Sequence, residues 1–523
     1  MWQPTNTVEQ DRLRKAETLR ERGIDLYPRR AHRTHTTAQA ISAFEALEPD
    51  DPEGAQAIAV IVAGRIRRNN IKGKVSFMHI EDESGRVQLF LRINDMQDEE
   101  YALVKDKLIE VDDFVEAQGT MMRTRTGEVS VRVQRLTLLA KSMSPLPVIK
   151  TVKADDGTEV EYGEFSNVET RYRQRYADLA VNQTVRDVFR TRAKLIRALQ
   201  TFLDDEGMLE VETPILQPVY GGAAARPFTT HHNQLKQDLF LRISFELYLK
   251  RLLVGGIDAV YEIGRDFRNE GVSKKHNPEF TMLEFYKAYT DYEGVMDITE
   301  RMYAHIAQTL YGRMTITYQG QELDFTPPWP RLTIREAVQQ HTGIDYMDYP
   351  DAPSLVQAIK DELGETVSAD QPWGRIVVEY LLGNHVEPHL IQPTIIKDYP
   401  RDVSPFAKPT EYDPNHTERF EFFIAGMELG NAFTELNDPF DQEARFREMA
   451  ELYQQGDDEE TPFDDDYLRA MRYGMPPMGG FGTGVDRMVM LFTDQPNIRE
   501  VLLFPHLRAD ESTTGDSVNG IPT

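Results

Sequence analysis

The 523-residue chain predicts an α+β protein: a small five-stranded β-barrel, then a larger domain of mixed strands and helices interrupted by a helical insertion. Three observations carry this. Residues 57–139 hold short β-type runs at 58–62, 75–80, 87–91 and 129–136, broken by Gly64, Gly73, Gly85 and Gly127, which is the spacing of a small barrel. Beyond Arg171 a helical pattern at 185–205 is followed by strand patterns at 239–243, 259–267 and 280–289. Between Leu332 and Leu390 the apolar spacing turns helical again, with Ile334 and Val338, then Leu355, Ile359 and Leu363.

The flanking segments follow the same reading. Val8, Leu13, Ala16 and Leu19 among Arg, Lys and Glu predict a short amphipathic helix over 8–23, with Pro28 as its stop. Pro145, Pro147 and the polar stretch 153–164 mark a linker. Residues 456–466 carry seven acids and read as a solvated loop, and 512–523 as a disordered polar tail. The expected division is a helical extension (1–55), the barrel (56–147), a linker (148–175), a large domain (176–510, insertion about 332–390) and a tail (511–523).

Composition excludes several functions. The net charge of −27, with 28% charged and 40% hydrophobic residues, is an ordinary globular balance and rules out nucleic-acid binding by bulk charge. With no cysteine, thiol nucleophiles, disulfides and Cys-ligated metals are excluded. The first 26 residues lack a signal-like apolar stretch and no run of about 18 apolar residues occurs, so a cytoplasmic protein with no membrane partner is expected.

Four stretches carry chemistry. Within residues 61–80, Arg65, Arg67, Arg68, Lys72 and Lys74 stand without one acid, and Phe77 and His79 share a strand face beside them. Cations for phosphates and an aromatic face for an unstacked base are what single-stranded nucleic acid requires, with Gln88 on the next strand able to read a base edge. A core Phe77 with a solvated basic face is the alternative. In 261–289, Arg268 and Glu270 end one strand, and Phe280, Glu284 and Tyr286 alternate along the next. Lys274, Lys275 and His276 lie in the loop between. Such groups can clamp phosphates and stack a purine. In 421–437, Glu428 and Glu435 flank Asn431 and Phe433, hard oxygen ligands suited to Mg²⁺. In 479–490, alternate glycines clear one face of a strand, and Arg487 falls in the first turn of the helix that follows.

Together these stretches resemble the class II aminoacyl-tRNA synthetases, and closely the bacterial-type lysine family. Phe-Arg-Asn-Glu at 267–270 with His-Asn-Pro-Glu-Phe at 276–280 looks like the second motif of the class, and Gly-Phe-Gly-Thr-Gly-Val-Asp-Arg at 480–487 like its third. The helix 185–205 leading through Glu210 and Glu212 to Pro214 looks like the first, the dimer-forming element. Thr483 and Ala432 depart from the pattern. The resemblance implies an N-terminal OB-fold and a catalytic domain built on an antiparallel sheet flanked by helices. It implies that Arg268 binds the ATP α-phosphate and the amino acid carboxylate, that Glu270, His276 and Asn277 hold the nucleotide, and that Phe280 stacks on adenine. Arg487, after Gly484, would cover the other face. Glu428 and Glu435 would hold Mg²⁺, up to three ions in all, and Gly222 would lie against the amino acid. Arg268, Glu270 and Arg487 are thus the expected catalytic residues.

The resemblance also places Glu246 and Glu284 in the side-chain pocket, with Tyr286, Asn431, Phe433 and Glu435 around them. Two buried carboxylates demand a cation, which favours lysine and disfavours the anionic substrate of the related aspartate enzymes. The implied reaction is ATP-dependent activation of lysine to lysyl-adenylate, then transfer to the 3′ end of tRNA(Lys), by a homodimer. On the barrel, Phe77 and Gln88 match the anticodon-reading pair, with Arg65 nearby.

Overall fold

A computed structural model of the chain describes residues 2–147, 150–153, 159–162, 165, 167–454 and 462–508. Two compact units emerge, 1–166 and 167–523. The second therefore begins inside the expected linker, with a helix Val168–Arg173 whose Tyr172 hydroxyl donates to Glu500 at 2.8 Å. The expected tail and most of the acidic run lie outside the described residues. The end of that run is no loop: Asp464 caps the helix Asp465–Arg472, accepting from the Tyr467 amide at 2.9 Å.

The first unit is a closed barrel of β1 (Ala59–Lys72), β2 (Val75–Asp82), β3 (Gly85–Arg92), β4 (Phe114–Arg123) and β5 (Val129–Ala140), in the order β1-β2-β3-β5-β4. Alternate residues such as Val60, Val62, Met78, Ile80, Leu89, Val131 and Val133 fill the interior. Helices α1 (Thr7–Glu21) and α2 (Thr37–Leu47) pack on the same core through Ala16, Leu19, Ala40 and Phe44. Three expectations change. Helix α1 ends ahead of Gly23 (φ +76°), well before Pro28. Gly64 lies inside β1, where a Cβ would come within 2.6 Å of the Glu81 carbonyl oxygen, so it permits close strand approach rather than breaking the run. Strand β4 gave a weak sequence signal because its inward positions Val115, Ala117, Gly119 and Met121 include two small residues.

The second unit is built on an eight-stranded sheet. Its strands are β6 (Leu209–Glu210), β7 (Ala259–Phe267), β8 (Glu279–Ala288), β9 (Arg331–Thr333), β10 (Thr394–Pro400), β11 (His416–Ile424), β12 (Met427–Thr434) and β13 (Met478–Gly484). They run in the order β9-β10-β11-β12-β13-β8-β7-β6, antiparallel except for the outermost pair at each edge. One face packs against α3 (Gln183–Asp205), α5 (Tyr292–Tyr311) and α8 (Val485–Phe492). Leu199, Phe202, Tyr303, Ile306 and Val489 meet Leu283, Phe285, Phe422 and Phe481 there. The other face opens to a cavity beside α4 (Glu246–Val254). The two departures from the family pattern, Ala432 and Thr483, are buried, and Thr483 donates its hydroxyl to the Leu429 carbonyl at 2.7 Å.

The expected insertion is present. Helices α6 (Ile334–Thr342) and α7 (Ala352–Leu363) and the wider π-helical segment Ile376–Val386 form their own core from Ile334, Val338, Leu355, Ile359, Val377 and Leu381. Among the described residues no helix is long and apolar enough to cross a membrane.

Candidate active site

Strand alternation makes the site. On β8, Leu283 and Phe285 point to the helical core, while Phe280, Met282, Glu284 and Tyr286 line a cavity of about 410 Å³. Its floor is β13, where Gly480, Gly482 and Gly484 present backbone alone. A Cβ on Gly480 would strike the Glu435 carboxylate and the Tyr286 ring, so glycine is a packing requirement there, whereas at Gly482 and Gly484 a Cβ would meet only ordinary contacts.

At one end gather the nucleotide-type groups. Arg268 and Glu270 are not on the strand, as alternation had implied, because β7 ends at Phe267. They lie in the loop that follows, closed by the Arg268 amide donating to the Pro278 carbonyl at 2.9 Å. The Arg268 guanidinium carbon sits 5.2 Å from the Phe280 ring centre. Arg487, in the first turn of α8, donates to the Glu428 carbonyl at 2.7 Å and meets the His276 Nε2 at 3.1 Å. Burial and the Arg487 charge lower the His276 pKa. A neutral ring then accepts from Arg487 on Nε2 and donates from Nδ1 to Ser273 Oγ at 2.8 Å. Asn277 is buried and donates to the Glu279 carbonyl at 2.5 Å. Lys275 lines the cavity and Lys274 does not.

At the other end is a cluster of buried acids. Glu284 accepts from Ser244 Oγ at 2.9 Å, the Tyr286 hydroxyl at 3.0 Å and the Phe245 amide at 3.3 Å. Burial and then the Glu246 charge push its pKa up to about 7. Glu246 opens α4 and accepts from Lys250 Nζ at 2.5 Å; burial raises its pKa against the pull of Lys250. Glu435 is 1% exposed, ion-paired with Lys250, and raised well above the usual carboxylate range by burial. Gly222 (φ +88°) closes over this end, where a Cβ would lie 3.0 Å from Glu246 Cβ and Ser244 Oγ. Asn431 accepts from Arg419 at 2.9 Å, and Phe433 also lines the wall.

The two expected Mg²⁺ ligands, Glu428 and Glu435, line the same cavity in different surroundings. Glu435 answers to Lys250, Glu246 and Glu284, while Glu428 sits at the nucleotide end against Arg487. Glu428 adds to the rise of two carboxylates: Glu421, whose pKa is pushed up to about 7 by burial with Arg419 opposing, and Glu387, raised first by burial. Among the described residues no group of three or more His, Asp or Glu side chains is placed to hold a metal alone.

On the barrel, Phe77 and His79 share the half-buried face of β2, alternating with buried Ser76, Met78 and Ile80, so Phe77 is not core. His79 pairs in register with Gln88, whose amide donates to Glu128 at 2.6 Å and accepts from Ser130 at 2.8 Å. Arg65 is not beside Phe77: it lies opposite Glu81, stacked 4.3 Å from the centre of the Phe114 ring. Arg68, in register with His79, is the nearer cation.

Residues 167–508 match the family of tRNA synthetases class II (D, K and N). The chain belongs to that family. Residues 60–139 of this class II synthetase match the OB-fold nucleic acid binding domain, in agreement with the closed five-stranded barrel. It is similar to the lysine–tRNA ligase of Roseiflexus castenholzii, 53% identical over 97% of this chain and 99% of the relative. The lysine–tRNA ligase of Chloroflexus aurantiacus is 50% identical over 96% and 98%, and that of Moorella thermoacetica 48% over 96% and 97%.

Four residues of the synthetase's site escaped sequence reasoning: Ser244, Lys250, Arg419 and Glu421. Lys250 had a signal, standing four positions after Glu246 on one helix. Arg419 and Glu421 also had one, since they alternate on β11 toward the same side as Asn431 across the ladder.

Proposed function

We propose that this chain activates L-lysine with ATP to lysyl-adenylate and pyrophosphate, then transfers lysine to the 3′ end of tRNA(Lys) with release of AMP. One observation carries the reading: a single cavity joins an arginine- and phenylalanine-lined nucleotide end to a pocket with three buried carboxylates, Glu246, Glu284 and Glu435. A buried acid cluster selects a cationic side chain, and leucine or methionine would leave its charges unpaired at a cost of several kcal/mol. An anionic amino acid would meet repulsion.

In this reading Phe280 stacks on adenine with Arg268 at its edge. Arg268 draws the amino acid carboxylate and the α-phosphate together, while Arg487 and the neutral His276 hold the outer phosphates. Glu270 and Asn277 fix the loop and nucleotide. The lysine carboxylate oxygen attacks the α-phosphorus in line, and the bond to pyrophosphate breaks. A ribose hydroxyl of the tRNA then attacks the adenylate carbonyl, and the bond to AMP breaks. Each step is positioning and charge stabilisation without a protein nucleophile. Glu428 and Glu435, with Glu421 beside the same cavity, would hold Mg²⁺, which would supply charge neutralisation at the phosphates. Phe77 and Gln88, with Arg68, form the surface for unstacked anticodon bases, which Gln88 reaches by exchanging its Glu128 partner.

Leu209, Ile215 and Leu216 are 45–52% exposed in the single chain, on the segment that follows α3 and at the sheet edge. A second copy of the chain covers them in the proposed homodimer, which sedimentation tests directly. The enzyme would work in the cytoplasm with its tRNA. Amino-acid-dependent ATP–pyrophosphate exchange is the deciding experiment: exchange with lysine and not aspartate or asparagine is expected, and exchange with either of the latter overturns the assignment.

A further inference from the structure

The acid cluster already contains a cation. Lys250 is fully buried on α4, its Nζ 2.5 Å from Glu246 Oε1 and ion-paired with Glu435. Three rings enclose the ammonium: Phe406 at 5.1 Å, Phe433 at 5.5 Å and Tyr286 at 5.7 Å from their centres. Glu246, Glu435, Phe433 and Tyr286 all line the cavity, whereas Lys250 does not; it stands directly behind their wall. Burial alone would strip its proton, yet the two carboxylates outweigh burial and hold it charged. Glu284, the third acid, is met by hydroxyls and an amide rather than by a cation.

Charge counting follows. With all three carboxylates ionised, as a bound cation would hold them, the resident ammonium leaves two negative charges on the pocket. Lysine brings two ammonium groups there once Arg268 takes its carboxylate. Without Lys250 the pocket would call for a third cation, and nothing would tie Glu246 on the helix to Glu435 beyond β12.

Resting on the lysine reading above, we propose that Lys250 is a specificity-determining positioning residue. Its ammonium fills one place in the acid cluster, holds Glu246 and Glu435 at a set spacing, and matches the pocket to an amino acid with two ammonium groups. Lys250 touches no substrate; it acts through the two glutamates.

The test is ATP–pyrophosphate exchange on the full chain, with Lys250→Met and the double variant Lys250→Met/Glu435→Gln, which removes the cation together with one negative charge. For Lys250→Met, KM for lysine is expected to rise about 10-fold or more, with kcat at saturating lysine and KM for ATP within about three-fold of wild type. The double variant is expected to recover most of the lost lysine affinity, and to fold where the single one does not. A merely structural lysine predicts otherwise. A KM for lysine that stays at the wild-type value in Lys250→Met, or a double variant no better than the single one in folding and lysine affinity, overturns the proposal. A wild type without lysine-dependent exchange overturns the substrate reading itself, and the proposal with it.

Discussion

Replacing Glu284 by Gln is the sharpest perturbation of the acid pocket, because shape is kept and charge removed. In the empty pocket this carboxyl titrates at about 7 against an ordinary 4.5, raised by burial and then by Glu246. The folded chain therefore holds the proton more tightly than the unfolded one. The stabilisation from that proton is complete below about pH 4.5 and is lost as pH rises through about 7. The shift corresponds to about 3 kcal/mol, shared across the coupled acids. Ligand-free Glu284→Gln should thus be more stable than wild type at pH 8, and its unfolding should depend less on pH between about 5 and 8. Binding should move the opposite way. Neutralising one member of a buried charge pair costs about 2–5 kcal/mol, so KM for lysine should rise by about 30-fold to a few thousand-fold. Pyrophosphate exchange against lysine concentration, with thermal unfolding at pH 5 and pH 8, reads both. A variant whose KM for lysine stays within about three-fold of wild type would refute the reasoning.

Four further outcomes are expected. Gly222→Ala puts a side chain at φ +88° against Glu246 and Ser244, so lysine affinity should fall about 10-fold or more while KM for ATP holds, which exchange kinetics separate. Phe280→Ala removes a stacking face worth about 1–3 kcal/mol, raising KM for ATP by about 5- to 150-fold with KM for lysine little changed. Phe77→Ala should weaken tRNA binding by a similar factor without touching pyrophosphate exchange. Wild-type tRNA affinity should fall steeply between about 50 and 200 mM salt, and filter binding with a flat response would contradict a phosphate-contacting barrel.

Much of this protein is readable from its residues in order. The runs that became β2, β3, β7 and β8 are short and rich in branched and aromatic residues, and helix α3 and the insertion show helical spacing. The motif residues from Phe267 to Phe280 and from Gly480 to Arg487 are contiguous, so the chemistry they bring together needs no long-range knowledge. Pairings that cross the chain were not readable. Glu428 and Glu435 both reach the cavity because the irregular register at Phe422 and Phe423 skips Leu429 and so shifts the alternation of β12. The ladder between β11 and β12 sets Glu421 opposite Asn431, and Arg65 goes to Phe114 rather than Phe77 because β1 runs between β2 and β4. Lys250 acquires its role only when Glu435, just past β12 and far along the chain, brings its carboxylate against it. Local periodicity and motif are properties of neighbouring residues, so sequence alone determined the elements and the class of chemistry. Which charges face one another depends on strand register and packing, and only the tertiary structure decided that.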